Sequence, residues 1–163
     1  MCYNIIGDNM KQTTLCYIEK DHKYLMLHRT KKENDMNKDK WIGIGGKLEE
    51  GETVLDCVLR EAYEETGLTL HNPTYRGVIY FRNSYYYDED MHLFTCSSFS
   101  GEIKECDEGN LEWIDIDDLY NLTLWEGDKI FLDALRRNDP FFYLTLNYEK
   151  DTLISHEMKY GDA

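Results

Sequence analysis

The sequence is poor in proline, in basic residues and in long apolar segments. Its two prolines, Pro73 and Pro140, are too few for a Pro-rich or collagen-like chain. Lys and Arg number 18 against 32 Asp and Glu, which gives a formal net charge of −14. A chain with this charge is repelled by the phosphates of nucleic acids and anionic membranes, and no apolar run approaches the roughly 18 residues of a membrane span. We therefore expect neither a nucleic-acid polymer nor a membrane as a partner.

The cysteines lack a pairing pattern. The five cysteines are odd in number, widely spaced and without a C-x-x-C pair, so they fit neither a disulfide framework nor a thiolate zinc site. No apolar segment of the kind found in secretory signal peptides follows Met1. Together these observations predict a reduced, cytoplasmic protein.

The apolar content of the chain is sufficient for one folded domain. Of its 163 residues, 42% are hydrophobic and 13% are aromatic, and a disordered chain would have far fewer aromatic residues. Residues 1–11 are polar and irregular, and we predict that they form a flexible N-terminal extension. A single domain is predicted over residues 12–160.

Apolar periodicity predicts strands together with two helices. Two apolar runs within Thr13–Leu27 flank a polar turn and predict a β-hairpin. Apolar residues recur at i, i+4 and i+8 from Val54, which predicts a helix over Thr53–Thr66, and a second helix is predicted from about Asp128 to Arg137. Further strands are predicted over Tyr75–Arg82, Met91–Phe99, Leu111–Ile114, Phe141–Tyr148 and Thr152–Glu157. This mixture predicts an α+β or α/β sandwich in which a sheet packs against helices.

Three glutamates crowd one side of the first predicted helix. Glu61 and Glu65 are spaced i, i+4 and share one strip of helix surface, with Glu64 one step round from them. Like charges at this spacing destabilise an isolated helix by about 0.2–0.5 kcal/mol, and a bound cation would reverse that effect. Oxygen ligands at this density suit Mg²⁺ or Mn²⁺. On the helix alone, a solvated acidic face remains the alternative interpretation.

The residues that flank these glutamates complete a longer pattern. From Gly46 to Leu68 the chain fits G-x5-E-x7-R-E-U-x-E-E-x-G-U, where U is a bulky or apolar residue, and every fixed position matches. Ala62 is small for its U position. This pattern is the signature of the Nudix hydrolases, and the chain resembles that family. The resemblance implies an α+β Nudix fold, an α/β/α sandwich with a mixed sheet between helices and the signature as loop–helix–loop. It also implies metal-assisted hydrolysis of a nucleoside diphosphate linked to another group.

The resemblance implies a role for each polar position in and near the signature. The implied ligands of Mg²⁺, with Mn²⁺ as a substitute, are the Gly45 carbonyl and the carboxylates of Glu61, Glu64, Glu65 and Glu108. Glu64 is also implied to act on water, and Arg60 to orient the glutamates through a salt bridge, while Gly46 and Glu52 support the site. Glu108 matches a loop carboxylate of the family, and the neighbouring acids Glu105, Asp107 and Glu112 remain alternatives for that position.

Similarity extends beyond the signature to one branch of the family. Trp41–Lys47 and Trp125–Asp128 resemble segments of the 8-oxo-dGTP diphosphatases, the MutT-like oxidised-purine nucleoside triphosphatases. The resemblance implies that Trp125 stacks on a purine, that Asp128 bonds its edge, and that Arg29 and Lys47 contact substrate. Core packing is the alternative role for Trp125. Two positions depart from the branch, since Ile42 replaces a frequent Asn and Gly127 replaces an acid.

These observations predict a Mg²⁺-dependent nucleoside triphosphate pyrophosphohydrolase. The expected substrate is 8-oxo-dGTP or a related nucleotide, cleaved to the monophosphate and pyrophosphate by a monomer or homodimer. A diadenosine polyphosphate hydrolase is the alternative, because Tyr85–Tyr87 lies at the distance past the signature where such enzymes carry a Tyr. A non-catalytic binding module is disfavoured because all the signature glutamates are present. The acids outside the signature, Asp88–Asp90 among them, are expected to be solvated.

Overall fold

The computed structural model of the chain describes residues 10–161. The strands are β1 (Met10–Lys20), β2 (Lys23–Arg29), β3 (Trp41–Ile42), β4 (Thr69–Leu70), β5 (Thr74–Asn83), β6 (Asp88–Cys96), β7 (Phe99–Ser100), β8 (Gly109–Asp115), β9 (Phe142–Glu149) and β10 (Thr152–Tyr160). The helices are α1 (Val54–Thr66) and α2 (Asp128–Arg136), with a 3₁₀ helix over Ile116–Asn121. Strand β1 begins at Met10, so residues 10 and 11 belong to the sheet and not to the predicted extension. Residues 1–9 of that extension lie outside the described residues.

The main sheet is mixed, as the sequence predicts. Its order is β10-β9-β5-β6-β1-β2-β3, and β8 also pairs with β2. Strand β1 runs parallel to β6 and β5 runs parallel to β9, whereas the other neighbours are antiparallel. A separate pair, β4 and β7, was not predicted, because strands of two residues are too short to show alternation.

The predicted hairpin of β1 and β2 is present, but its strands separate beyond the turn. They pair beside the turn at Glu19↔Tyr24 and Lys20↔Lys23. Further along, β2 pairs with β3, and β1 instead binds the glycine segment, which we define as residues 43–47. The Thr14 amide donates to the Gly46 carbonyl at 2.9 Å. A Cβ on Gly45 would lie 1.8 Å from the Thr14 carbonyl oxygen, so this approach requires glycine.

The two helices cover opposite faces of the sheet. On β1, Cys16 and Ile18 pack in one core cluster with Val58 of α1, while Tyr17 packs in a second cluster with Phe131 of α2. This division follows the alternation of side chains along a strand. The α/β/α sandwich predicted from the sequence is therefore confirmed.

Local signals determine where α1 begins and ends. The Thr53 hydroxyl accepts a hydrogen bond from the Asp56 amide at 3.0 Å and caps the helix, and Gly67 ends it in the left-handed conformation at φ 82°. Thr53 is thus the cap and not the first helical residue of the predicted span. The cysteines of the described part, Cys16, Cys57, Cys96 and Cys106, are buried free thiols. Within residues 10–161, no helix combines the length and apolar character needed to cross a membrane.

Candidate active site

Arg60 connects the acids of α1 to the glycine segment. Its Nε and Nη2 donate to the two carboxylate oxygens of Glu52 at 2.6 and 2.9 Å. Its Nη1 donates to Glu61 at 2.7 Å and to Glu64 at 3.0 Å, and Nη2 also reaches the Lys47 carbonyl at 3.1 Å. Hydrogen bonds from Arg60 lower the pKa of Glu52 to about 2. The guanidinium is therefore saturated by protein acceptors and orients the carboxylates around it.

Glu65 is the most buried acid of the helix, with 8% of its surface exposed. Its Oε2 accepts a hydrogen bond of 3.0 Å from the Gly45 amide. Burial raises the pKa of Glu65 well above its usual value, and the nearby Glu108 and Glu61 carboxylates raise it further. Burial also raises the pKa of Glu61 in spite of its bond to Arg60. Negative charge is thus concentrated where water is largely excluded, which is unfavourable without a cation.

The backbone of the glycine segment lies directly against these carboxylates. A Cβ on Gly46 would stand 2.5 Å from the carboxyl carbon of Glu61, so only glycine allows the approach. The Gly45 amide donates to Glu65, so the backbone of Gly45 also lies against the cluster. The atoms available to bind a metal are carboxylate and carbonyl oxygens, the hard ligands that Mg²⁺ and Mn²⁺ prefer. The residues present therefore fit a divalent metal.

Glu108 is the loop acid that the fold brings to Glu65. The two carboxylates are close enough for Glu108 to perturb Glu65 both by charge and by hydrogen bonding. Arg29 donates to Glu108 at 2.9 Å and fixes its position. The three competing acids, Glu105, Asp107 and Glu112, are exposed. Geometry therefore favours Glu108 as the acid that completes the cluster.

A second group of metal-ligating side chains lies outside the signature. His22, Asp115 and Asp117 converge within 4.8 Å of one another. The Oδ1 atom of Asp117 already accepts a hydrogen bond of 2.6 Å from Arg136. This oxygen is engaged by a cation of the chain itself, so the group is an exposed ion-pair network.

A cavity of about 220 Å³ lies beside the glycine segment, which separates it from the carboxylate cluster; Glu61, Glu64, Glu65 and Glu108 are not among the residues that line it. The glycine segment contributes Gly45, Gly46 and Lys47 to its lining, and Trp125 and Asp128 contribute from the loop and helix packed over the sheet. The predicted metal-binding loop and the predicted purine-binding residues therefore border one continuous space.

Trp125 belongs to both the core and the cavity wall. It is 5% exposed and packs edge-on against Phe81 and Tyr148, with ring centroids 5.3 and 5.1 Å apart. Its Nε1 donates to Asn37 Oδ1 at 2.6 Å, and the Lys40 ammonium lies 4.3 Å from its ring centroid. The two roles considered for Trp125 are thus compatible, because its orientation is fixed by the core while part of it lines the cavity.

Asp128 is a buried acid at the first turn of α2. It is 6% exposed, and burial raises its pKa to about 8, with the Glu89 charge adding to the increase and the Lys40 charge opposing it. The carboxyl is therefore mainly protonated at neutral pH and has both an O–H donor and an acceptor oxygen.

The two cations predicted to contact substrate, Arg29 and Lys47, differ in their availability. Arg29 lines the cavity, but its Nε donates to Asp35 at 2.8 Å and its Nη1 to Glu108. Lys47 also lines the cavity and has an exposed side chain, while its carbonyl binds Arg60. Lys47 is thus the freer of the two for a ligand phosphate.

The sequence prediction missed several lining residues, of which Glu89 is the most important. The expectation that it is a solvated acid is wrong, since it borders the cavity and its Oε2 accepts a hydrogen bond of 2.7 Å from Thr13. Alternation along β6, which places Glu89 on the same face as Met91 and Leu93, was the available signal. Asn37 lies in an irregular loop, and no pattern marked it.

Comparison with known proteins agrees with this architecture. The NUDIX domain model matches residues 10–135. An uncharacterized Nudix hydrolase of Bacillus subtilis is 31% identical, covering 91% of this chain and 94% of that protein. An oxidized purine nucleoside triphosphate hydrolase of Danio rerio is 29% identical, covering 78% and 82%. The crystal structure of a mutator MutT protein from Bacillus halodurans superimposes with a TM-score of 0.79 and 28% identity, covering 91% and 97%. The chain belongs to the Nudix hydrolase family and is MutT-like within it.

Proposed function

We propose that the chain is a Mg²⁺-dependent nucleoside triphosphate pyrophosphohydrolase that acts on 8-oxo-dGTP or a related nucleotide. The observation that carries this proposal is the single cavity bordered by the glycine segment and by Trp125 and Asp128. The similarity to the oxidized purine nucleoside triphosphate hydrolase of Danio rerio supports the same substrate class. The proposed setting is the cytoplasm, where the protein would act as a monomer or homodimer to remove damaged nucleotides.

In this proposal the base enters the cavity against Trp125, and the phosphates extend toward the glycine segment. Glu61, Glu65 and Glu108, with the Gly45 carbonyl and Glu64, would hold the metal. When bound, the metal supplies neutralisation of phosphoryl charge and a lower pKa of water. Arg60 keeps the carboxylates apart and in register through its hydrogen bonds.

The proposed reaction is a hydrolytic substitution at phosphorus. The oxygen of water bonds to phosphorus, the phosphoanhydride bond breaks, and its electron pair stays on the departing phosphate oxygen, so that the products are the monophosphate and pyrophosphate. The proton of the attacking water passes to Glu64, whose side chain is 56% exposed and reached by Arg60 through one hydrogen bond. Lys47, which borders the cavity, provides positive charge for the phosphates.

Steady-state kinetics on a nucleotide panel test the proposal. We would measure kcat/KM with Mg²⁺ for 8-oxo-dGTP, dGTP, dATP, diadenosine tetraphosphate and ADP-ribose, and identify the products. We expect the highest value for a nucleoside triphosphate, with monophosphate and pyrophosphate released in equal amounts. Absence of metal-dependent turnover on every substrate would contradict the enzymatic function.

Diadenosine polyphosphates are the second candidate substrates because of the tyrosines that follow β5. Tyr87 lines the cavity, and the Tyr86 ring lies edge-on to Trp125 with centroids 6.3 Å apart. A second base stacked beside the first would meet these rings. The highest kcat/KM for diadenosine tetraphosphate in the same panel would favour this function.

A further inference from the structure

Glu89 lies on the sheet face that forms one wall of the cavity. In the register of β6 with its neighbours, Glu89 pairs with Phe81 of β5 and with Lys11 of β1, and all three residues line the cavity. Trp125 and Asp128 line it from the layer packed over this face. The carboxyls of Glu89 and Asp128 therefore reach one space from two different layers.

One oxygen of Glu89 is held by the protein, and the other is available. The Thr13 hydroxyl donates to Oε2 at 2.7 Å. Among the hydrogen bonds formed within residues 10–161, none reaches Oε1. Thr13 thus fixes the orientation of the carboxylate and leaves an acceptor at the cavity surface.

The charge of Lys11 partly offsets that of Glu89 without occupying its carboxylate oxygens. Burial raises the pKa of Glu89, and the Thr13 hydroxyl and Lys11 oppose that increase. The Lys11 ammonium lies over the Tyr87 ring, 4.0 Å from the centroid, and within residues 10–161 it forms no ion pair with Glu89. Lys40 likewise opposes the increase in the pKa of Asp128, and its ammonium lies over the Trp125 ring. Each acid therefore has a lysine nearby that lies over an aromatic ring, and each keeps hydrogen-bonding capacity for a ligand.

Because the side chain of Ile42 is apolar, the hydrogen-bonding groups of Glu89 and Asp128 become important for binding a base. Ile42 lines the cavity at a position where the resembled branch often has an Asn that reads the purine edge. Gly127 likewise lacks the side chain of the acid found there. A base in this cavity needs polar partners for its edge, because buried N–H groups left unpaired cost binding free energy. Of the carboxyls that line the cavity, Asp35 is already bound by Arg29 and by the Asn37 amide, which leaves Glu89 and Asp128 to pair with the edge of a base.

We propose that Glu89 recognises the base: Oε1, and the lone pair of Oε2 that Thr13 leaves unused, accept hydrogen bonds from N1–H and the exocyclic amino group of a guanine-type purine, which sets a preference for guanine over adenine nucleotides. Guanine and 8-oxo-guanine both present these two adjacent donors. Adenine presents an acceptor, N1, beside its amino group, and this acceptor would face the carboxylate unpaired. The inference rests on the proposed function, since it assigns the base to this cavity.

The test compares Glu89→Gln with a matched control, Asp90→Asn. Gln preserves the shape of Glu89 but replaces one acceptor by a donor. Asp90 is the next residue of β6, and its carboxylate is engaged by Gln12 and Arg82, at 2.9 Å in each case. We would measure kcat and KM for dGTP, 8-oxo-dGTP and dATP. We would also measure Kd for dGMP and dAMP without metal, from quenching of tryptophan fluorescence.

We expect Glu89→Gln to lower kcat/KM for both guanine nucleotides by about 10- to 100-fold, mainly through KM, because a hydrogen bond to a charged acceptor is lost. The value for dATP should stay the same or rise, and Asp90→Asn should keep the wild-type ratios. An unchanged guanine-to-adenine ratio in Glu89→Gln, or equal losses for all three nucleotides, would overturn the proposal. Equal affinity of the wild type for dGMP and dAMP would overturn it as well.

Two further measurements keep the result interpretable. If Glu89→Gln does not fold, Thr13→Val removes the donor that fixes the carboxylate, and we expect a several-fold loss of the same guanine preference; no loss would overturn the proposal. If the wild type binds dGMP more tightly than dAMP but hydrolyses no nucleotide, the base-reading role stands and the proposed function fails. If the wild type hydrolyses nucleotides without a preference for guanine, the proposed function stands and the base-binding role of Glu89 fails.

Discussion

The carboxylate cluster of α1 and the cavity beside it differ in how they are assembled. In the cluster, Glu61, Glu64 and Glu65 come from one helix and are organised by Arg60 from the same helix. In the cavity, Glu89 and Asp128 come from different layers and from distant parts of the chain. The cluster depends on helical spacing, whereas the cavity depends on strand register. We infer that the three helical acids are positioned by local sequence, whereas Glu108, the glycine segment and the proposed base-binding groups are positioned by tertiary structure.

The largest expected effect is the loss of kcat when an acid of the carboxylate cluster is replaced. Glu65→Gln should lower kcat by about a thousandfold or more, because it removes a charge that the metal requires. Folding should persist, since the change also removes an unfavourable buried charge. The measurements are kcat with Mg²⁺ and circular dichroism, with the exposed Glu50→Gln as a control that keeps full activity. Near-normal turnover in Glu65→Gln would mean that the metal is held elsewhere.

A smaller loss is expected when the orientation of the cluster is disturbed without loss of charge. Arg60→Lys keeps the positive charge but cannot donate to both oxygens of Glu52. We expect kcat to fall about 10- to 100-fold, the usual range when a partner of metal ligands is removed. Arg137→Lys is the matched control, because Arg137 also donates to both oxygens of an acid, Asp139, on the surface. Equal activity of the two variants would refute an orienting role for Arg60.

A change in the cavity should affect binding more than turnover. Trp125→Ala should raise KM for purine nucleotides about tenfold or more, as expected from the loss of base stacking, with a smaller effect on kcat. It should also lower stability by about 3–5 kcal/mol, because a buried aromatic ring is deleted. Trp113→Ala removes a tryptophan that stacks on Phe99 outside the cavity lining and should leave KM unchanged. An unchanged KM in Trp125→Ala would remove this residue from the base pocket.

The last prediction concerns the pH dependence of stability at Asp128 and not catalytic activity. Its folded-state pKa is raised to about 8, so the folded protein keeps a proton that the unfolded chain loses above about pH 4. The stability conferred by the neutral form is complete below that pH and is lost as the pH rises toward 8. The Tm of the wild type should therefore fall relative to that of Asp128→Asn between pH 4 and 8, and the difference should stay constant above that range. The exposed Asp118→Asn variant should follow the wild type. Parallel Tm curves for the wild type and Asp128→Asn would contradict a buried neutral carboxyl.

The same contrast explains how much of the molecule was predictable from its sequence. The span of α1 and the separation of its acids follow from helical period, capping and the glycine that ends the helix, all within a few residues of one another. The hairpin and the second helix were also predicted from local patterns. The position of Glu89 was not, because the acids around it, Asp88 and Asp90, indicated solvent. Alternation along β6 indicated the face on which Glu89 lies, but its approach to Thr13 also requires the parallel pairing of β1 with β6, which no local pattern specifies.

The attachments along strand β1 bear on which phosphoanhydride bond would be cleaved under the proposed function. The Thr13 hydroxyl of β1 holds Glu89, and the amide of the next residue, Thr14, binds the carbonyl of Gly46. The groups assigned to the base and the segment that borders the metal ligands are thus attached to one strand, at adjacent residues. Strand geometry spaces such attachments by about 3.3 Å per residue and resists stretching. Under the proposed function, β1 would fix the distance between the base and the metal ligands and so determine which phosphorus lies beside the metal.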